Sequence, residues 1–168
     1  MPTETSTPNA TNLQPRFEQG HSMRLAGITG HYMQEDIDRI PEQWQRLVAR
    51  GEVAGRIGRI EYACVGMTPK GADYLSGYEV EEAATLPDGF VDLHVPAYRY
   101  AVFAHEGHVA QMRYTFAAIF GQWLSTAGIT LAHGPDGHPF CLEVYTETFN
   151  PRTGTGGIEI WLPIAHAA

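Results

Sequence analysis

The sequence predicts an α+β fold in which a duplicated strand–helix–hairpin unit forms one curved antiparallel sheet, with two helices on one face and a central groove between them. Two amphipathic helical patterns are each preceded by a strand pattern and followed by a hairpin pattern. The helices end in related phrases, QWQRLVARG and GQWLSTAG, which indicates an internal duplication. A chain of 168 residues with 43% hydrophobic content is long enough for one domain with a single core.

The first unit begins with the strand MRLAGITGHYM and continues into a helix over QEDIDRIPEQWQRLVARG. Apolar residues recur in this helix at helical spacing: Ile37, Ile40, Trp44, Leu47 and Val48. Gly51 supplies the stop signal. The segments IEYACVGMT and ADYLSGYEV then predict a hairpin, because the turn sequence Pro69-Lys70-Gly71 separates them.

The second unit follows the turn TLPDGF and repeats the same plan. Its strands are FVDLHVPA and YRYAVFAHEG, and its helix is HVAQMRYTFAAIFGQWLSTAG. This helix has one continuous apolar face: Val109, Met112, Phe116, Ile119, Phe120 and Trp123. The strands HPFCLEVYTETF and GGIEIWLPI predict a second hairpin.

Composition divides the chain into two regions and limits its partners. Residues 1–20 are rich in Thr, Pro and Asn, so we expect a disordered polar tail before a single domain at 21–168. The net charge of −8 disfavours direct nucleic-acid binding and favours cationic or neutral partners. The sequence has no apolar run of transmembrane length and no secretory signal pattern, so we expect a cytoplasmic protein without membrane contacts.

One carboxylate stands out in the strand pattern FCLEVY. Alternation places Cys141, Glu143 and Tyr145 on one face of this strand, and both faces are otherwise apolar. A carboxylate buried without a partner is costly or takes up a proton. Glu143 is therefore expected either to pair with a buried tyrosine hydroxyl or arginine of the fold, or to face a ligand.

Other kinds of site have weaker support. The cluster His105-Glu106-Gly107-His108 lacks the spacing that sets two histidines on one helix face, so we predict no metal site. No nucleophile-elbow sequence occurs, and the glycine-rich phrases GITGHYM and GTGG lack the strand-to-helix context of a phosphate loop. We therefore expect no cofactor.

The order of elements, together with the motifs VPAYRYAVFAHEG, YLSGYEV, LEVY and IWLPI, resembles the GyrI-like small-molecule-binding domain family over residues 22–164. The resemblance implies the fold of the drug-sensing half of AraC-type and MerR-type regulators. The same domain occurs in that family as a stand-alone protein, including gyrase inhibitors, and in hydrolases of cyclopropane-bearing genotoxins. Because only a polar tail precedes the domain here, we expect a stand-alone member.

The resemblance also implies site residues. The family's pocket glutamate falls on Glu143, and the aromatic position of the last strand falls on Trp161. Among the remaining aromatic residues, Tyr62, Tyr78 and Tyr145 are pocket candidates by strand alternation, with plain core packing as the open alternative.

Two further pocket candidates, Phe116 and Phe120, lie on the second helix and would form a wall of the groove, although an apolar helical stripe is also expected of a simple core.

These residues and the resemblance together imply three functions. The leading hypothesis is binding of an amphipathic, aromatic, cationic small molecule, for sensing or sequestration of a drug or toxin, with Glu143 selecting positive charge. The alternative is hydrolysis of an electrophilic cyclopropanoid, in which Glu143 activates water and Tyr145 orients the substrate. The second alternative is a gyrase-inhibitor-type interaction module with gyrase or a regulator as its partner.

Overall fold

The computed structural model describes residues 13–134 and 137–165. Its eight strands are β1 (Arg16–Gln19), β2 (Met23–Tyr32), β3 (Glu61–Thr68), β4 (Gly71–Val80), β5 (Val91–Val95), β6 (Arg99–His105), β7 (Phe140–Tyr145) and β8 (Ile158–Ile164). A 3-10 turn (Gln34–Arg39) leads into helix α1 (Ile40–Ala49). A second helical segment consists of a 3-10 turn (Val109–Gln111), α2 (Met112–Ala118), a π-helical turn (Ile119–Trp123) and α3 (Leu124–Ala127). The predicted α+β class is confirmed.

All eight strands belong to one antiparallel sheet with the order β1-β6-β8-β7-β3-β4-β2-β5. The two predicted units are recognisable in this order. In each unit the first strand pairs with the last strand of the hairpin, β2 with β4 and β6 with β8. The units meet where β3 pairs with β7, so the central pair of strands comes from the two predicted hairpins.

Two short links force the sheet to curl. The chain passes from β1 to β2 and from β5 to β6, and each of these pairs is six positions apart in the strand order. A flat sheet would separate such strands by about 29 Å, whereas four residue steps span at most about 14 Å. The links also touch each other, since the Gly20 amide donates to the Tyr98 carbonyl over 2.8 Å. The sheet edges must therefore approach one another.

The two faces of the curled sheet carry different cores. We call the face of Leu142 and Val144 the inner face; its buried residues come from six strands and contact one another without a covering helix. A pair of opposed glycines, Gly27 and Gly77, lies on this face. A side chain at Gly27 would collide with the carbonyl oxygen of Ser76, so the glycines permit the tight curvature.

The opposite face, which carries Cys141, Glu143 and Tyr145, is the helix face. Helix α1 is fixed to it by Gln43, which is fully buried. The Gln43 amide nitrogen donates to the Tyr74 carbonyl (3.2 Å) and to Ser76 Oγ (3.0 Å), while its oxygen accepts from the Tyr32 hydroxyl (2.6 Å). Such a fully bonded buried amide fixes the position of the helix on the strands.

A second polar contact fixes the second helical segment to strand β6. His105 is buried, and its Nδ1 lies 2.7 Å from Oγ1 of Thr115 in α2. Its Nε2 lies 2.9 Å from the carbonyl oxygen of His108. Both nitrogens of this imidazole are thus within hydrogen-bond distance of groups in the second helical segment or in the loop before it.

The predicted tail boundary at residue 20 is corrected by strand β1. Residues 1–12 of the predicted tail lie outside the described residues. Arg16–Gln19, however, pair in register with Arg99–Val102 of β6. Arg16 also pairs with Glu159 at 2.6 Å, so a backbone ladder and an ion pair hold a segment whose composition resembles a tail. Among the described helices, none has the length and apolar character needed to cross a bilayer.

Candidate functional site

Glu143 occupies the middle of β7, a strand whose six residues are all buried. Its side chain points to the helix face and retains 8% exposure. Its neighbours in the sheet are Ala63 on β3 and Ile160 on β8. The carboxylate therefore lies at the centre of the sheet, below the space between the two helical segments.

Two tyrosine hydroxyls donate hydrogen bonds to the same oxygen of Glu143. The Tyr145 hydroxyl lies 2.7 Å from Oε1, and the Tyr74 hydroxyl lies 2.9 Å from it. Tyr74 belongs to β4 and pairs with Val65 of β3, so its hydroxyl must reach diagonally across β3, past Ala63, the residue that pairs with Glu143. A methyl group at this position leaves room for the hydroxyl to pass. Within residues 13–134 and 137–165, no group hydrogen-bonds the second oxygen, Oε2.

Trp44 of α1 covers this cluster. Its Nε1 donates to the Tyr74 hydroxyl over 2.9 Å, and its ring meets the Tyr145 ring edge-on at 5.2 Å. On the other side of Tyr145, the ring of Phe149 is 5.0 Å away. Trp44 itself is only half-buried, so it separates Glu143 from solvent as a single layer.

Burial raises the pKa of Glu143, and the hydrogen bonds from Tyr145 and Tyr74 only partly offset this effect. The pKa values of the Tyr74 and Tyr145 hydroxyls are also raised. Burial is the larger cause for both, and the negative charge of Glu143 is the next. Across the described parts of the chain, no Lys or Arg side chain forms an ion pair with Glu143. The site thus presents a buried carboxyl group that accepts hydrogen bonds from neutral donors and has no counter-ion among the described residues.

Aromatic side chains line both flanks of the space above Glu143. On the second helical segment, the rings of Phe116 and Phe120 stack at 6.2 Å with an angle of 14°, and both are half-buried against the helix-face core. On the other flank, Tyr78 packs beneath α1, with the guanidinium of Arg56 3.9 Å above its ring. The helix face around Glu143 is therefore rich in aromatic side chains, and Tyr78 among them is covered by Arg56.

The structure brings Glu143, Tyr145, Tyr78, Phe116 and Phe120 to the helix face, but it does not place Tyr62 and Trp161 with them. Both of these aromatic residues pack in the inner-face core.

Strand register gives the reason for this correction. Glu143 is opposite Ile160 and Leu142 is opposite Trp161, so Trp161 points away from the carboxylate and packs 5.3 Å from the Tyr100 ring. Tyr62 pairs with Val144 and shares its face; burial raises the pKa of its hydroxyl to about 12. Tyr62 and Trp161 therefore lie on the opposite face of the sheet from Glu143, and a role for them in ligand binding stays a prediction.

Two site residues were missed by sequence reasoning, Tyr74 and Trp44. Tyr74 shares a strand face with Tyr78, so alternation could have nominated it. Trp44 belongs to the apolar stripe of α1, and the sequence has no signal that distinguishes it from an ordinary core residue.

Two cavities lie elsewhere on the surface. One, of about 520 Å³, is at the strand ends and is lined by residues that include His105, Glu106, Thr146 and Gly157. The other, of about 180 Å³, lies beside the start of α1 and includes Asp36 and Arg39 among others. Glu143 lines neither of them, and the two tyrosines that donate to it contact Trp44.

A comparison with known families identifies the domain. The family described as Cass2, an integron-associated effector-binding protein, matches residues 16–164. The chain belongs to this effector-binding family. The predicted resemblance to small-molecule-binding regulator domains is thereby confirmed, and the matched region begins at β1 and ends with β8.

Individual relatives of this effector-binding domain agree with the assignment. The transcriptional regulator BrlR of Pseudomonas aeruginosa is 32% identical over 157 residues, which cover 91% of this chain and 56% of BrlR. The chain thus spans about half the length of that relative.

Two solved structures share the fold of the effector-binding domain. SAV2435 bound to tetraphenylphosphonium has a TM-score of 0.68 at 18% identity, covering 90% of this chain and 94% of SAV2435. A hydrolase from Listeria innocua has a TM-score of 0.53 at 11% identity, and the match covers 90% of this chain and 92% of the hydrolase chain. At these identities the likeness concerns the fold alone.

Proposed function

We propose that this effector-binding domain takes up a lipophilic, aromatic cation above Glu143. The observation that carries the proposal is the carboxylate itself, which is buried at the centre of the sheet, hydrogen-bonded by Tyr74 and Tyr145, and covered by the ring of Trp44. A cation placed there would meet an anion below and aromatic faces at the sides.

The energetics favour a cation over a neutral molecule of the same shape. Two hydroxyl donors stabilise the ionised form of Glu143 but supply no positive charge, so part of its burial cost remains. A bound cation offsets that cost, whereas a neutral ligand would bury the carboxylate further. Apolar contacts with the aromatic rings would provide most of the affinity, and Glu143 would provide the preference for positive charge.

Access to Glu143 requires Trp44 to move. Its indole donates one hydrogen bond to Tyr74, meets the Tyr74 and Tyr145 rings edge-on and packs against three clusters of the core, so ligand contacts must replace these interactions. The neighbouring Gln43 anchors α1 through buried hydrogen bonds. We therefore expect the Trp44 side chain to rotate while the helix backbone keeps its place.

The comparisons support this proposal by analogy. SAV2435 is a protein of the same fold and its structure holds tetraphenylphosphonium, a lipophilic aromatic cation. BrlR is a transcriptional regulator, and this chain corresponds to about half of its length. Binding by this domain could accordingly serve a regulator that responds to such compounds.

A charge-reversal pair of ligands tests the proposal. Tetraphenylphosphonium and tetraphenylborate have nearly the same size and shape but opposite charge. In calorimetric titrations we expect the phosphonium to bind at least about 100-fold more tightly than the borate. The substitution Glu143→Gln should bring the two affinities closer by lowering that of the cation. Equal affinities for both ions in the unsubstituted protein would refute the role of Glu143.

The hydrogen bond between Tyr145 and Glu143 favours one second candidate, hydrolysis of a cyclopropanoid. A carboxylate whose pKa is raised by burial is a stronger base than an exposed one. Water activated by Glu143 would add its oxygen to a ring carbon, the strained carbon–carbon bond would break, and the proton would pass to the other carbon.

Mass spectrometry of a cyclopropane-bearing genotoxin incubated with the protein tests this reaction. A gain of one water that disappears in Glu143→Gln would establish it, and an unchanged substrate at stoichiometric protein would leave binding alone.

A further inference from the structure

A second carboxylate shares the helix face with Glu143. Glu61, the first residue of β3, lies directly opposite Tyr145 of β7. Glu143 is two residues before Tyr145 on the same strand. Glu61 and Glu143 are therefore diagonal neighbours on one face, a relationship that places their backbones about 7–8 Å apart, with the Tyr145 ring beside both.

The surroundings of Glu61 are polar on one side and aromatic on the other. Its carboxyl group is half-buried, and burial raises its pKa, while the nearby guanidinium of Arg56 partly offsets the rise. Arg56 lies over the ring of Tyr78, and its Nε is buried without a hydrogen-bond partner among the described residues. The cation is thus held by stacking on an aromatic ring.

Arg56 does not neutralise Glu61 by direct contact. Its Nη2 donates to the carbonyl oxygen of Arg59 over 2.9 Å, and no ion pair within 4.0 Å joins Arg56 and Glu61. Throughout residues 13–134 and 137–165, no hydrogen bond to the Glu61 carboxylate is found. Glu61 therefore has unused acceptor capacity on the same face of the sheet as Glu143, beside the Tyr145 ring.

We propose that Glu61 is a second anionic contact of the proposed cation site and selects ligands that carry two cationic groups about 7 Å apart. The inference rests on the proposed binding of cations above Glu143 and extends it to a ligand class. One cationic group lies over Glu143 between the aromatic side chains. The other lies against Glu61, which forms no ion pair with Arg56. An aromatic linker takes the position beside the Tyr145 ring that Trp44 leaves when its side chain rotates.

Two ligands that share one aromatic ring test the inference. Benzyltrimethylammonium carries one quaternary ammonium group, and para-xylylene bis(trimethylammonium) carries two, about 7 Å apart, a span matched to the diagonal pair. In calorimetric titrations at one fixed ionic strength, the dication is expected to bind at least about tenfold more tightly than the monocation. The meta isomer, whose charges are closer together, should lose part of this advantage.

Three variants assign the effect to Glu61. Glu61→Gln should lower the affinity for the dication to that for the monocation. The affinity for the monocation should stay within about twofold of its value in the unsubstituted protein. Glu143→Gln should weaken both ligands. Glu79→Gln is the matched control, because it removes the same charge from the inner face of β4, where the carboxylate contacts His21 at 2.9 Å. It should leave the tenfold difference intact.

The outcomes separate the two proposals. If the monocation binds but the dication binds no more tightly, the role of Glu61 is refuted and the binding of cations at Glu143 stands. If Glu61→Gln and Glu79→Gln reduce dication affinity equally, the effect comes from net charge and the role of Glu61 is again refuted. If neither ligand and no tetraphenylphosphonium binds, both proposals fail together.

Discussion

The hydroxyl of Tyr74 lies 2.9 Å from Oε1 of Glu143, although the two residues belong to strands separated by β3. The same hydroxyl accepts a hydrogen bond from Trp44 Nε1 over 2.9 Å. A single oxygen thus links helix α1, strand β4 and the carboxylate of β7. The two halves of the duplicated fold are connected at this point by polar side chains as well as by the β3–β7 ladder.

Removing this hydroxyl should destabilise the protein. Tyr74→Phe deletes one donor to Glu143 and one acceptor for Trp44, both in a buried setting, while the ring stays in place. We expect the free energy of unfolding to fall by about 1–3 kcal/mol, measured by urea denaturation.

Tyr100→Phe is the matched control for this prediction. Tyr100 is as deeply buried as Tyr74, but its hydroxyl has no hydrogen-bond partner among the described residues. Removing an unsatisfied buried hydroxyl should leave stability unchanged or raise it by about 1 kcal/mol. Equal losses of unfolding free energy in Tyr74→Phe and Tyr100→Phe would show that the hydrogen bonds of the Tyr74 hydroxyl do not stabilise the fold.

The raised pKa of Glu143 predicts a specific pH dependence of stability. Burial raises this pKa above its ordinary value of 4.5, so the folded protein holds the proton more tightly than the unfolded chain. The stability that this carboxyl contributes is therefore fully present below pH 4.5 and is lost as pH rises through the folded-state pKa. Ionisation of Glu143 opposes folding at neutral pH.

Glu143→Gln isolates this contribution, because glutamine keeps the shape and one oxygen acceptor but does not titrate. Melting temperatures of both proteins should be measured from about pH 4 to pH 8, a window around the ordinary carboxyl pKa. The difference between variant and unsubstituted protein should shift in favour of glutamine as pH rises. A difference that is constant over this range would show that the folded-state pKa of Glu143 is ordinary.

Much of the architecture could be predicted because it depends on periodicity. The alternation in FCLEVY and in YLSGYEV reports strand faces directly, and the apolar stripes of the two helices report which side covers the sheet. The duplication is visible in the order of elements and reappears in the strand order. Strand β1 was missed because a short edge strand held by Arg16 and Glu159 has no such periodic pattern.

The site could be predicted only in part, because alternation gives faces within a strand but not the relation between strands. Trp161 was grouped with Glu143, yet the β7–β8 register sets it opposite Leu142. A shift of one residue in pairing reverses every face, and the register depends on the whole sheet. Likewise, the contact between Trp44 and Tyr74 joins residues 30 positions apart and follows from helix docking.

The position of Trp44 depends on its neighbour Gln43. Gln43→Ala would remove the partner of the Tyr32 hydroxyl, of Ser76 and of the Ile28 and Tyr74 carbonyls. It would also open a cavity under α1. We expect a loss of about 2–4 kcal/mol in unfolding free energy and faster hydrogen exchange of the α1 amides. The control is Gln45→Ala on the exposed side of the same helix, which should change stability by less than about 0.5 kcal/mol. Similar effects of the two substitutions would refute the anchoring role of Gln43.

The small side chain of Ala63 leaves room for Tyr74 to reach Glu143. Ala63 pairs with Glu143 on one side and Ser76 on the other, and Tyr74, which pairs with Val65, crosses β3 diagonally beside its methyl group. Ala63→Leu would place a branched chain in the path of the hydroxyl, at a position that is fully buried. We expect overpacking to lower the free energy of unfolding by about 1–3 kcal/mol. The affinity for tetraphenylphosphonium should also fall, because the Tyr74 hydroxyl is separated from Glu143.

Ala104→Leu is the control for this prediction. It adds the same side chain at an exposed position of β6, outside the cluster, and should change neither stability nor affinity measurably. Retention of full cation affinity by an Ala63→Leu protein that remains folded would show that Tyr74 is dispensable for binding.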